Sequence, residues 1–448
     1  MNLHLKLFLL LAALSAMMVL LFSCGSSQNQ NQNTPGERMQ SDIYPAKTET
    51  VAIKFSSFEL ANENAYSAYE AAVNAFMKTN QTIQVELDGS QPYSSYLDKL
   101  LENISDDDSL TVAHIRAEWL PALLETGAVR SVAGIDEQIL QTYSNMQLES
   151  VSDRGILYAL PWYYGTQMLF YNTTLLNQAQ VRPEEIQSFD DLLAAAKKVS
   201  ALEDGVFGFA LPSSGVMPGE GYHIFPMIWA NGGDLWSEEG ELAIDNPAGM
   251  RTYEQLRYIF EEKISPKGMT SEELRSLFGA GKIGFLYDVQ AGIADCAAAA
   301  DTEENFYSRF GYMEIPGSMG YIESHLLVVL HATDDARLSA ARQFLEYMSG
   351  DVFFDKLNEK AQGYLPARDD VRERTLQDAN ALTLAFADAA DHAREIPYMR
   401  LDFAKADADF SEGLLRISSG EKADMVLPDI KKRLMKSLRS PLSAPYPS

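Results

Sequence analysis

Two cysteines in 448 residues, Cys24 and Cys296, are too few for a disulfide framework. No glycine-rich phosphate loop, nucleophile elbow or zinc-ligand spacing occurs, and His223 has no second histidine at metal spacing. Positive charge is scarce too: 36 lysines and arginines stand against 63 aspartates and glutamates, a net charge of −27. Such an acidic surface repels phosphate backbones, which excludes a nucleic-acid partner and argues against polyanionic ligands. It leaves neutral and cationic solutes open. No repeat of fixed period is visible, so the chain is not a solenoid or propeller.

What is present begins with a targeting segment. Lys6 supplies a short positive region, and Leu7 to Phe22 is an almost unbroken apolar run, long enough for a signal peptide and short for a membrane span. It leads into Leu21-Phe22-Ser23-Cys24, which resembles a lipobox. The expectation is a lipoprotein signal peptide over 1–23, with Cys24 lipidated as the first mature residue and anchoring an exported protein to a membrane on its periplasmic or extracellular face. With Cys24 so used, no internal disulfide is possible. Residues 24–47 are polar, with a Gln/Asn alternation from Gln28 to Asn33, and read as a flexible tether. Cys296 lies beside the alanine run Ala297 to Ala300 and reads as a buried small apolar residue.

The remainder exceeds one ordinary domain, and with 46% hydrophobic residues it can build a sizeable core. Val51 to Phe58, Thr82 to Leu87 and Leu110 to Ile115 read as strands. They alternate with helices over Ala65 to Lys78, with Ala68, Ala72, Ala75 and Phe76 on one face, and over Tyr93 to Ile104. This alternation predicts an α/β fold whose first sheet is largely parallel. The acidic run Asp106-Asp107-Asp108 reads as a solvated loop. Between Gly155 and Asn172, two apolar segments are split by Pro161 and Gly165. Ser188 with Asp191 has capping-box spacing, and Tyr222 to Ala230 is apolar and helix-length. Further strands are expected at Phe207 to Leu211, Lys282 to Tyr287, Phe310 to Glu314 and Leu326 to Leu330.

Several stretches together resemble the bacterial extracellular solute-binding family that includes maltose-binding protein. They are Gly155 to Pro161 with Leu169-Phe170-Tyr171-Asn172, Ser188 to Leu192, Ala230-Asn231-Gly232-Gly233, Phe278 to Gly284, Ala340 to Leu345 and Gly363 to Arg368. The resemblance implies a two-lobe periplasmic-binding-protein (Venus flytrap) fold with three hinge crossings, near Trp162 to Gly165, Tyr321 to Leu326 and Pro366. The lobes would be 48–163 plus 326–366 and 164–325 plus 367–448. It further implies an ABC importer's permease subunits as partners, a solute bound between the lobes, no catalysis, no cofactor and no resident metal.

A sugar site needs flat aromatic faces for the apolar side of a pyranose and polar groups for its hydroxyls. Arg116, Glu118 and Trp119 follow the third strand, at a carboxyl end where open α/β sheets bind ligands. Glu220 and Tyr222 match the family's sugar-contacting Glu and Tyr. Trp162, Tyr163 and Tyr164 sit at the first crossing; three adjacent large aromatics cannot all enter one core, so at least one is expected to face the cleft. Tyr287 and Asp288 end one strand, and Phe58 and Glu59 end another. Trp229 and Trp236 read as packing residues. The alternatives are a polyamine or other non-sugar solute, paired instead by the carboxylates; an iron site using Tyr163-Tyr164; and a surface glycosidase with two carboxylates. The lipobox reading carries its own test. Cys24→Ser should abolish incorporation of labelled fatty acid and release the protein from membranes, and a variant that still carries lipid would refute it.

Overall fold

A computed structural model describes residues 50–104, 110–331, 334–360, 364–396, 398 and 401–438. The expected leader, Cys24, the tether and Asp106-Asp107-Asp108 lie outside the described residues. Eight strands of four or more residues organise the described chain: β1 (Val51–Ser56), β2 (Ile83–Asp88), β3 (Leu110–Arg116), β4 (Ala159–Asn172), β5 (Phe207–Ala210), β6 (Ile283–Val289), β7 (Phe310–Met313) and β8 (Tyr321–Leu330). Their order is β2-β1-β3-β8-β4-β6-β5, with β7 also on β4. β1 runs parallel to β2 and β3, as the alternation predicts, and β5 runs parallel to β6. β8 and β4 return antiparallel, so the sheet is mixed.

β4 holds the two halves together. Its first part, Ala159 to Thr166, pairs with β8, and Gln167 to Tyr171 pair with β6. Pro161 and Gly165 were expected to split this stretch, yet it is one continuous strand of 14 residues. The reason is a bulge. His325 pairs with Tyr163 and Leu326 with Pro161, so Trp162 is the extra residue, and the proline, which has no N–H to give, sits beside the irregularity.

The bulge also settles the three aromatics. It turns Trp162 and Tyr163 toward the same core, where both are buried with Phe55, Tyr69, Phe344 and Phe353. The Trp162 indole N–H donates to the Met348 carbonyl at 2.8 Å. Tyr164 points elsewhere, its hydroxyl taking a bond from Arg372 at 2.7 Å.

Helices cover both faces. Glu63–Thr79 buries Ala68, Tyr69, Ala72, Val73 and Phe76, a stripe at three-to-four spacing; Ala75 lies at its half-buried edge. Ser188 accepts from the Asp191 N–H at 3.2 Å, but the return bond goes to the Gln187 N–H, because the aspartate is one methylene shorter than the usual Glu. Tyr222 to Ala230 is two pieces, a 3-10 turn Glu220–Ile224 and a helix Phe225–Ala230. Pro226 cannot donate to the carbonyl of residue 222, so the first turn cannot continue as α-helix. Cys296 is fully buried.

Trp162→Phe removes ring volume and a buried donor. It should lower unfolding free energy by about 1–3 kcal/mol. Urea denaturation would check this, and a loss below about 0.5 kcal/mol, the range of neutral surface changes, would contradict the core placement.

Candidate ligand-binding site

The carboxyl end of β3 delivers Arg116, and the 3-10 turn Ala117–Trp119 delivers Glu118 and Trp119. Arg116 lies between two carboxylates: its Nη2 is 3.0 Å from Glu118 Oε1 and its Nη1 is 3.3 Å from Glu323 Oε2. Glu323 is placed by β8, and Tyr321, two residues earlier on the same face, donates to its Oε1 at 2.9 Å. The contact with Glu118 is a salt contact rather than an aligned hydrogen bond. Arg116 Nε and Glu118 Oε1 therefore have no hydrogen-bond partner although both are buried. Burial pushes the Glu118 carboxyl up, and the guanidinium beside it pulls it back down.

The other half of the structure closes over this group. Tyr222 from the 3-10 turn packs edge-on to Tyr321, with centroids 6.1 Å apart, and its hydroxyl donates to the Phe403 carbonyl at 3.4 Å. The helix Phe403–Ser418 packs against the Ala117–Trp119 turn and brings Asp407. Asp407 accepts from the Gly219 and Gly221 N–H groups at 2.6 and 3.2 Å. Burial raises its pKa to about 7, those two bonds oppose the rise, and Glu118 and Glu220 add to it. Gly221 has no room for a side chain, since a Cβ there would stand 2.5 Å from Phe410 and 2.9 Å from Asp407.

The other expected site residues fall in several places. Trp119 is buried behind the group, stacked on Tyr93 at 5.6 Å and touching Phe58 at 5.7 Å, so it supports the wall that Tyr93 forms. Glu220 folds back on its own loop, accepting from Ser214 Oγ and the Gly215 N–H. Glu59 takes hydroxyl bonds of 2.6 Å from both Tyr163 and Tyr69. Tyr287 is core, edge-on to Phe209, and Asp288 is held in a two-pronged fork by Arg275. The structure thus brings Arg116, Glu118 and Tyr222 together, places Phe58 and Trp119 behind them, and puts Trp162, Tyr164, Tyr287 and Asp288 elsewhere.

Sequence reasoning missed Tyr93, Tyr321, Glu323 and Asp407. Alternation along an expected crossing strand could have flagged Tyr321 and Glu323. Nothing local marks Asp407, which arrives from a helix distant in sequence.

Beside this group lies a buried polar relay. Ser57 Oγ is 2.8 Å from His114 Nδ1, and His114 Nε2 is 2.8 Å from His325 Nδ1, with Tyr163 stacked on His325 at 4.2 Å. Desolvation holds both imidazoles well below their usual pKa, so both are neutral. His223 is packed against Gln167, and burial lowers its pKa to about 4. Trp229 and Trp236 line a separate cavity of about 160 Å³ with Asp234 and Arg394; the guanidinium already covers Trp229 at 5.0 Å. A groove of about 420 Å³ between the helices Phe189–Ser200 and Pro247–Glu261 is wide open and crossed by the exposed Arg251–Asp190 pair. Its shape suits solvent; buried unpartnered polar atoms occur in the Arg116 group and also elsewhere, among them Trp229 Nε1 in the smaller cavity.

The description of bacterial extracellular solute-binding proteins matches residues 71–384. The diacetylchitobiose binding protein DasA of Streptomyces coelicolor is 23% identical over 393 residues, 84% of this chain and 85% of that protein. An arabinooligosaccharide-binding protein of Bacillus subtilis is 22% identical over 35% of this chain and 38% of its own. Among solved structures, the GacH receptor of Streptomyces glaucescens superposes with a TM-score of 0.75 at 22% identity, over 87% of this chain and 98% of that one. Maltose-bound MalE3 of T. maritima gives 0.74 at 17% identity, over 86% and 100%. The fold is therefore the two-lobe α/β fold expected from the sequence.

The histidine relay has a pH signature. Unfolded imidazoles take up protons near pH 6.5, whereas the folded pair resists until well below that, so stability from these groups is full above 6.5 and falls as pH drops. Asp407 works the other way: its folded pKa of about 7 against an ordinary 3.8 gives stability that is lost as pH rises through that window. Comparison with His325→Gln separates the two. Below pH 6.5 the wild type should lose stability relative to the variant by up to about 1.4 kcal/mol per pH unit for one proton. Parallel denaturation profiles from pH 7 to 5 would refute the neutral pair.

Proposed function

The chain belongs to the bacterial extracellular solute-binding proteins, and from that membership we propose that it captures a sugar between its lobes and hands it unchanged to an ABC importer. The observation that carries this reading is the buried Arg116 group, in which Arg116 Nε has no hydrogen-bond partner and Glu118 Oε1 has only its salt contact with Arg116 Nη2, beside the rings of Tyr93, Tyr222 and Tyr321. A hydroxyl group both accepts and donates, so a polyol satisfies both atoms, and the rings can cover the apolar face of a pyranose. The names of the relatives, for diacetylchitobiose and arabino-oligosaccharides, support a carbohydrate.

Binding and closure are one event in this reading. The cluster draws Arg116 and Glu118 from one side, Tyr222 and Asp407 from the other, and Glu323 from the crossing strand β8. A solute that touches both sides only when they meet shifts the open–closed balance by its differential affinity. We place the first hinge crossing in β4 at Thr166 to Gln167, where pairing passes from β8 to β6, slightly beyond the boundary at 163 and 164 expected from the sequence. The other crossings fall in β8 and at Pro366, giving lobes of 48–166 plus 326–366 and 167–325 plus 367–448. Lipidation at Cys24 and the polar tether would hold the binding domain near its permease subunits.

A thermal-shift panel of mono- and oligosaccharides tests the class, because a ligand that binds only the folded state raises the melting temperature. Arg116→Lys keeps the charge but loses Nε and the guanidinium plane, and should weaken the best ligand by about 1–2 kcal/mol in calorimetric titration. A panel in which no sugar shifts the melting temperature, or a lysine variant that binds like wild type, would sink the proposal.

A further inference from the structure

We propose that the sugar selected by this site carries a protonated amino group, so that the ligand is an amino sugar rather than a neutral one. The inference rests on the carbohydrate reading above and adds the charge of the ligand to it.

The argument is a count of buried charge. Two carboxylates, Glu118 and Glu323, share one cation, Arg116, at 3.0 and 3.3 Å. The Arg116 and Glu118 side chains are each 8% exposed and that of Glu323 is 17% exposed. Arg116 serves Glu118 and Glu323 together, so one guanidinium faces two carboxylates. Asp407, held by two backbone N–H groups, adds a further carboxyl group whose pKa burial raises to about 7, so it is partly ionised at neutral pH. The nearby Arg275 is already committed to Asp288 and Asp295.

Uncompensated buried charge is costly, and a ligand that brings a cation removes the cost. A metal ion needs three or more ligands around one point, and no three His, Cys, Asp or Glu side chains among the described residues converge so closely, whereas an ammonium group needs only one carboxylate beside it. An ammonium group fits better. It donates three hydrogen bonds, and Glu118 Oε1, which has a salt contact with Arg116 but no aligned hydrogen bond, can accept one. The ligand must also satisfy Arg116 Nε, which is a donor and needs an acceptor oxygen. A polyamine has ammonium groups and no acceptor, whereas a neutral sugar has acceptors and no charge. An amino sugar has both.

Three β-1,4-linked disaccharides with one skeleton test this: cellobiose with hydroxyls at carbon 2, diacetylchitobiose with acetamido groups, and the glucosamine disaccharide with ammonium groups. Spermidine is the fourth probe. Calorimetric titration at two salt concentrations should show the ammonium disaccharide binding at least about tenfold tighter than cellobiose, with affinity falling as salt rises. Glu323→Gln should shrink that preference, with the melting temperature of the free variant as a control for folding. Tighter binding of cellobiose or diacetylchitobiose overturns the inference and leaves the carbohydrate reading standing. Spermidine binding more tightly than all three sugars overturns both. Binding by none of the four also overturns the inference, and the wider sugar panel then decides the carbohydrate reading separately.

Discussion

The rest of the structure depends on a single strand that belongs to two sheets. Ala159–Asn172 pairs with β8 along its first half and with β6 and β7 along its second, so it is bonded to both halves of the sheet. A connection made of ladder hydrogen bonds fixes the direction in which each half departs while leaving one short stretch to absorb rotation. The bulge at Trp162 is part of this arrangement. It lets Trp162 and Tyr163 anchor in one core, so the crossing strand is rooted in a rigid half before it passes to the other.

From that geometry follows the meeting of groups distant in sequence. β3 and β8 are neighbours, so Arg116 and Glu323 arrive side by side. The second half supplies Tyr222 and Asp407 through one 3-10 turn and one helix, tied to each other by the Gly219 and Gly221 amides. The site is built from both halves, with the basic residue on one side and acids on both. That distribution makes ligand charge and lobe closure aspects of the same energy. On the proposed reading, a solute that relieves the carboxylate excess would do so only when Asp407 and Glu118 are near each other, in the closed arrangement.

The buried relay of Ser57, His114 and His325 sits beside the site and is satisfied within itself. Glu59 is likewise satisfied by the hydroxyls of Tyr69 and Tyr163. These groups fill the space between the strands with fixed dipoles, and a ligand reaching them would have to displace bonds already made. Arg116 Nε, which has no hydrogen-bond partner, would impose no such cost on a ligand.

Much of this was legible in the residues. Strand and helix periodicity located β1 to β3 and the helix Glu63–Thr79 because burial on one face imposes a period that local sequence must obey. Motif order along the chain pointed to the family. The carboxyl end of β3 pointed to Arg116 and Glu118, since open sheets expose side chains there. Other features required the tertiary structure. Trp162 looked like a ligand contact because nothing in the sequence announces a bulge, which arises from how β4 registers against β8. Asp288 looked like a free carboxylate until Arg275 came around to grip it. Asp407 had no signal at all, because its role comes from which helix packs against the 3-10 turn. Periodicity and composition act through neighbours in the chain, and the sequence by itself determines what they control. Register, pairing of charges and satisfaction of buried polar atoms act between distant segments, and only the folded structure decided those.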